Sequence, residues 1–169
     1  SAVAGGSSKI GGPFTLVDET GKTVTEKDVI DQPTLLYFGY TFCPDVCPLD
    51  NARNAEAIEI LEGRGKMVKP VFISIDPERD TPQALKDYLS SDGFPEGVIG
   101  LTGTPEQVRA AATAYRAVYQ KVGEGEGYTM NHSLTIYLMG PDGRMRSALG
   151  HDLGPANAAR VIEQAMARG

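Results

Sequence analysis

Three uninterrupted apolar runs organise this chain: Thr34-Leu35-Leu36-Tyr37-Phe38-Gly39-Tyr40, Val71-Phe72-Ile73-Ser74-Ile75 and Ser133-Leu134-Thr135-Ile136-Tyr137-Leu138-Met139. Short β-prone runs without polar alternation predict strands buried on both faces. After the first run the period becomes helical over about 45–61, where Leu49, Ala52, Ala55, Ile58, Ile60 and Leu61 form an apolar side. Thr81-Pro82 and Thr104-Pro105-Glu106-Gln107 carry one helix-start signal, a threonine N-cap followed by proline at the first helical position. The second of these opens an alanine-rich helix to about residue 117, and residues 155–166 read as a final helix. Ahead of the first strong strand, residues 12–18 and 22–25 flank a Glu19-Thr20-Gly21 turn and predict a small hairpin. Residues 118–122 read as a short extended segment. Gly140-Pro141-Asp142-Gly143 is a turn leading to a hairpin partner at 144–149.

Strand, helix, strand, helix, then hairpin and helix is the order of an α/β domain, with a mixed central sheet and one antiparallel pair near its end. Right-handed crossovers bring the C-terminal ends of the first two strong strands to one side of that sheet. A length of 169 residues suits one domain with its own core. We expect a flexible segment at 1–11 and the folded domain at 12–169. Lys+Arg total 16 against 22 Asp+Glu, a formal charge of −6, which disfavours a face for tracking nucleic-acid phosphates. No apolar run approaches the roughly 18 residues that a bilayer span needs. The start, Ser-Ala-Val-Ala-Gly-Gly-Ser-Ser, has no methionine, basic region or apolar stretch and reads as that of a processed or trimmed chain. An acidic domain without an obvious apolar patch is expected to be a monomer. The Gly123, Gly125 and Gly127 series lacks the strand–turn–helix setting of a phosphate loop and reads as a flexible connection.

Chemistry concentrates at Tyr40-Thr41-Phe42-Cys43-Pro44-Asp45-Val46-Cys47-Pro48, where a buried strand gives way to a helix. If the helix is entered near Pro44, Cys43 and Cys47 share a face, about 5–6 Å apart between Cβ atoms. That spacing suits a metal shared by two thiolates, or a disulfide after modest adjustment. The positive end of a helix favours thiolate, the form that binds soft metals and attacks disulfides. A structural disulfide closing so short a loop would stabilise little. The chain has two histidines, His132 ahead of the third strong strand and His151 ahead of the last helix. Two thiolates and one imidazole suit copper, whereas a structural zinc site takes four protein ligands and no third cysteine exists. Met130 stands two residues before His132 and reads as packing. Asp76-Pro77-Glu78-Arg79-Asp80 follows the second strong strand, on the edge that carries the cysteine loop, and reads equally as a tuning carboxylate or as an ordinary turn.

Taken in order, Gly12-Pro13-Phe14, the segment 37–48, Ser74-Ile75-Asp76-Pro77-Glu78-Arg79-Asp80-Thr81-Pro82 and Asn131-His132-Ser133 resemble the Sco/SenC family of copper proteins. The resemblance runs from about residue 13 to 167. It implies a thioredoxin-like fold with a hairpin ahead of the core and a helix inserted within it. It matches Cys43, Cys47 and His132 to the ligands of one copper ion, taken as Cu(I) or Cu(II), and leaves His151 as a surface residue. Asp76 matches an aspartate near the copper and is carried over as a weak ligand or a supporting group. Asn131 departs from the family, which usually has Asp before the histidine.

The function this implies is copper metallochaperone activity in assembly of the dinuclear copper centre of cytochrome c oxidase, by copper delivery, by thiol reduction of the target, or by both. Expected partners are the copper-centre subunit, a thioredoxin-like periplasmic reductant and another copper chaperone. The expected place is the periplasmic side of a bacterial inner membrane, with an N-terminal transmembrane anchor absent from this chain, in preference to the mitochondrial intermembrane space. No catalytic residue is expected beyond the redox pair Cys43 and Cys47. Rival readings are a thiol–disulfide oxidoreductase or a peroxiredoxin-like peroxidase acting through Cys43 and Cys47 without copper, and a copper sensor. The peroxidase reading needs an arginine beside the reactive cysteine, and Arg79 would have to move to supply it.

Overall fold

The computed structural model describes residues 10–42, 46–91, 93–117, 119–132 and 135–168. Nine strands and five helices occur in the described residues, in the order β1 (Thr15–Asp18), β2 (Thr23–Thr25), α1 (Glu26–Val29), β3 (Thr34–Gly39), α2 (Val46–Glu62), β4 (Lys69–Ser74), α3 (Pro82–Leu89), β5 (Ile99–Thr102), α4 (Pro105–Ala114), β6 (Tyr119–Val122), β7 (Thr129–His132), β8 (Thr135–Met139), β9 (Met145–Ala148) and α5 (Pro155–Arg168). Seven strands form one sheet in the order β2-β1-β5-β4-β3-β8-β9, while β6 and β7 pair apart from it. This is the mixed, helix-flanked sheet the sequence implies, and the N-terminal hairpin extends it by pairing β1 with β5. Ile10 packs against the core and the Gly11 N–H donates to Ala114 O at 2.9 Å, which ties the start of the described chain down.

The described parts of the three apolar runs become the middle of the sheet. β3 lies parallel to β4, with Gly39 opposite Ser74, and antiparallel to β8, with Phe38 opposite Thr135. Leu35, Leu36, Tyr37, Phe38, Val71, Phe72, Ile73, Ile136, Leu138 and Met139 are buried, as expected of strands covered on both faces. The two threonine caps behave as expected. Thr81 Oγ1 accepts from Ala84 N at 3.2 Å, and Thr104 exchanges bonds with Gln107 in a full capping box.

Two features were not legible. β5 follows no apolar run, and its Gly100 carries no side chain because a Cβ there would meet Leu89 Cδ1 at 2.5 Å. Glycine is what lets α3 approach the sheet, and it also erases the strand signal. The buried side of α2 differs from the predicted one. Leu49 is 72% exposed, whereas Asp50, Asn51, Arg53 and Asn54 are buried with Ala57, Ile58 and Leu61. Buried polar side chains hold only when satisfied. Asp50 Oδ2 accepts from Tyr37 Oη at 2.9 Å, and Arg53 Nη1 donates to the carbonyls of Gly150 and Leu153, both at 2.9 Å.

Arg53 thus staples α2 to the turn before α5, the helix it packs against. Replacing it by alanine removes both bonds and the buried stem that carries them. Arg53→Ala is expected to lower the unfolding free energy by about 2–4 kcal/mol, read from the urea midpoint at unchanged m value. A loss under about 0.5 kcal/mol, the range of an ordinary surface change, contradicts the staple.

Candidate metal centre

Three connections leave the sheet at one end. The C-terminal ends of the parallel strands β3 and β4 meet there, and so does the N-terminal end of β8, because Phe38 faces Thr135. The cysteine segment follows β3, the Asp76-Pro77 loop follows β4, and β7 precedes β8. Cys47 is the second residue of α2, in its first turn, and His132 is the last residue of β7, its backbone paired with Tyr119. Cys43, Pro44 and Asp45 lie outside the described residues, as do the side chains of Cys47 and His132, and with them the expected shared face of Cys43 and Cys47. His151 is exposed in the turn before α5.

One side chain joins the approach to the cysteine segment directly to the strand that ends at His132. Tyr40, almost fully buried three residues before Cys43, places its hydroxyl against the backbone of Met130, two residues before His132. The hydroxyl accepts from Met130 N at 3.1 Å and donates to Met130 O at 3.2 Å. A buried phenol needs such a partner, so this tyrosine at the end of an apolar run could have signalled a cross-connection.

Two buried carboxylates brace the same end. Asp80 is 0% exposed and accepts from Thr41 N (3.0 Å), Thr41 Oγ1 (2.5 Å) and Ser74 Oγ (2.6 Å), so it ties the exit of β3 to the exit of β4. Burial pushes its pKa up, against the pull of the Ser74 and Thr41 bonds, and the charge of Asp76 adds to the rise. Asp76, 2% exposed, receives Arg79 Nε on Oδ2 at 2.6 Å and Tyr128 Oη on Oδ1 at 2.5 Å. Both oxygens of the expected weak-ligand candidate are therefore engaged by protein donors. Arg79 also donates through Nη1 to Tyr128 O (2.7 Å) and Glu126 O (3.2 Å). Its guanidinium carbon lies 3.6 Å from the centre of the Tyr128 ring and 4.2 Å from that of Phe42, the residue before Cys43. An arginine therefore does stand beside the cysteine segment, already bound on two of its nitrogens. Sequence reading missed this role, because Arg79 and Tyr128 are 49 positions apart. Among the described residues, no cluster of three or more His, Cys, Asp or Glu side chains offers a further metal site.

The fold defines a thioredoxin-like domain, with Cys47 in the first turn of the helix that follows the central strand β3. The family described as SCO1/SenC matches residues 3–167, and the chain belongs to it. Protein SenC of Rhodobacter capsulatus is 54% identical over 136 residues, covering 80% of this chain and 61% of that protein. The human mitochondrial SCO1 homologue is 40% identical over 161 residues, covering 93% of this chain and 53% of that protein. The chain thus spans little more than half the length of these curated relatives. Among solved structures, Arabidopsis thaliana ScoI with copper bound matches with a TM-score of 0.88 at 40% identity, over 95% of this chain and 99% of that one.

Two outcomes follow from the bracing groups. Tyr40→Phe keeps the ring and deletes both bonds to Met130, so it should cost about 1 kcal/mol and speed hydrogen exchange at the Met130 amide ahead of the sheet amides. Equal protection in both proteins contradicts the connection. Tyr128 has its pKa raised, first by burial and then by donation to Asp76. Above the ordinary tyrosine pKa of about 10 the unfolded phenol ionises while the folded one keeps its proton, so stability present below that pH is lost as pH rises. Wild type should lose up to about 1.4 kcal/mol per pH unit more than Tyr128→Phe in that range, and parallel stability profiles contradict it.

Proposed function

We propose that this chain is a copper metallochaperone, binding one copper ion through Cys43, Cys47 and His132 and assisting assembly of the dinuclear copper centre of cytochrome c oxidase. The observation that carries the reading is the clasp between Tyr40 and Met130 at the sheet end where β3 and β8 meet, which holds the segments bearing these residues against each other. Relatives solved with copper bound support the choice of metal. Soft thiolates hold Cu(I), and an added imidazole extends the set to Cu(II). Asp76 acts from outside the copper, through Arg79 and Tyr128.

Oxidation of the two thiolates to a Cys43–Cys47 disulfide removes two electrons and both sulfur ligands, and so releases the metal. A thioredoxin-like dithiol returns two electrons and two protons and is itself left as a disulfide. In an oxidising compartment copper loading therefore depends on that reductant; the 54% identity to a bacterial SenC supports the periplasmic side of a bacterial inner membrane as the place of action, over the mitochondrial setting of the SCO1 relatives. No helix among the described residues is long and apolar enough to cross a membrane. Delivery proceeds by exchange of ligands with the cysteines and histidines of the target subunit. The same thioredoxin-like frame would also serve a thiol–disulfide oxidoreductase that uses no copper.

Copper titration of the reduced protein separates the two. One copper per chain is expected. His132→Ala should weaken Cu(II) by two orders of magnitude or more, roughly 3 kcal/mol, and alter the thiolate-to-Cu(II) charge-transfer band, with a far smaller effect on Cu(I). Cys47→Ser should abolish tight binding of both states. An unchanged Cu(II) spectrum in His132→Ala, or stoichiometric binding by Cys47→Ser, contradicts the ligand set. Disulfide turnover without copper binding favours the oxidoreductase.

A further inference from the structure

Among the described residues the β6–β7 hairpin pairs with no strand of the main sheet, although its last residue is His132. Its position is set instead by side chains reaching from the body, and Arg79 makes the most of these contacts. Arg79 is anchored at its root by Asp76, itself bonded to Ser74 at the exit of β4. Its tip donates to two hairpin carbonyls, those of Glu126 and Tyr128. Its guanidinium also lies over the rings of Tyr128, from the hairpin, and Phe42, from the cysteine segment. The Lys121 ammonium lies 4.3 Å from the centre of the Tyr128 ring and 3.6 Å from Glu78 Oε2. The planar guanidinium is the side chain that can do all of this at once, since it offers an edge of donors and two stacking faces.

We infer that Arg79 is a positioning residue for the copper site: by clamping the hairpin between the Asp-Pro loop and Phe42, it sets where the His132 backbone stands relative to the cysteine segment. Binding that needs the histidine then depends on Arg79, and binding that needs the thiolates alone does not. Cu(II) falls in the first class and Cu(I) in the second. The second half of this inference rests on His132 being a copper ligand, as proposed above, whereas the clamp itself does not. Phe42 is 56% exposed, so the stack rather than burial in the core holds it in place.

The experiment uses the whole chain with both cysteines reduced, comparing wild type, Arg79→Ala and Arg79→Lys. Hydrogen exchange without metal reads the clamp. Arg79→Ala should raise exchange across residues 119–132 about tenfold while the β3 and β4 amides change less than about threefold. Lysine can keep the ion pair with Asp76 but neither the double carbonyl contact nor the planar stack, and should fall between the two. Copper titration reads the consequence. Arg79→Ala should weaken Cu(II) about tenfold, equivalent to about 1.4 kcal/mol, with loss of the nitrogen hyperfine pattern in the Cu(II) resonance spectrum, and should leave Cu(I) within about threefold. Hairpin exchange equal to wild type overturns the clamp. Exchange raised equally in hairpin and sheet, or Cu(I) and Cu(II) weakened alike, reduces Arg79 to general stability and also overturns the inference. If wild type itself shows no His132-dependent Cu(II) binding, the ligand assignment fails while the exchange comparison still decides the clamp.

Discussion

The exit of β3 is the constraint on which the rest of this molecule depends. A strand flanked on both sides ends where its neighbours' connections also begin, so three chain segments compete for space at one edge. Backbone groups there no longer have ladder partners, and buried ones must find others. Asp80 answers for Thr41 and Ser74, and the Tyr40 hydroxyl answers for both backbone groups of Met130. The bonds to Thr41 and to Met130 each span two segments, so satisfying backbone groups and bracing this end of the sheet are one act.

Burying Asp76 and Asp80 in a single short loop carries a desolvation cost, and the structure meets it differently for each. Asp76 has a cation on one oxygen and a phenol on the other. Asp80 has three neutral donors and no cation among its hydrogen-bond partners, consistent with the upward direction of its pKa. A carboxylate supported by directed donors fixes geometry tightly, because any shift of the loop leaves buried donors unpaired. Rigid support of this kind suits the function proposed above, in which the site would hold a soft metal and surrender it without rebuilding the surrounding chain.

Much of this was legible before any coordinates. Apolar runs announced β3, β4 and β8, and Thr-Pro pairs announced α3 and α4, because burial on two faces and helix capping each leave a local trace. Cys43, Cys47 and His132 stood out as candidate chemistry through residue type and spacing alone. What escaped was non-local or masked by a competing need. Gly100 hides β5 since packing against Leu89 forbids a side chain there. Leu49 followed the helical period yet faces solvent, because the inner side of α2 is used by Asp50 and Arg53 to bond Tyr37 and the turn before α5. Tyr40 and Arg79 looked like ordinary core and turn residues, and their roles exist only across 90 and 49 positions of chain.

Membership in the SCO1/SenC family and the convergence of segments at the β3 exit lead to one claim: two sulfurs and one imidazole nitrogen of this chain meet at a single copper ion. X-ray absorption at the copper edge of the Cu(II)-loaded protein tests it most directly. Two sulfur neighbours and one imidazole nitrogen, the nitrogen disappearing in His132→Ala, is the result the account predicts. A shell containing oxygen and nitrogen alone, or a sulfur pair whose surroundings are indifferent to His132, would contradict it.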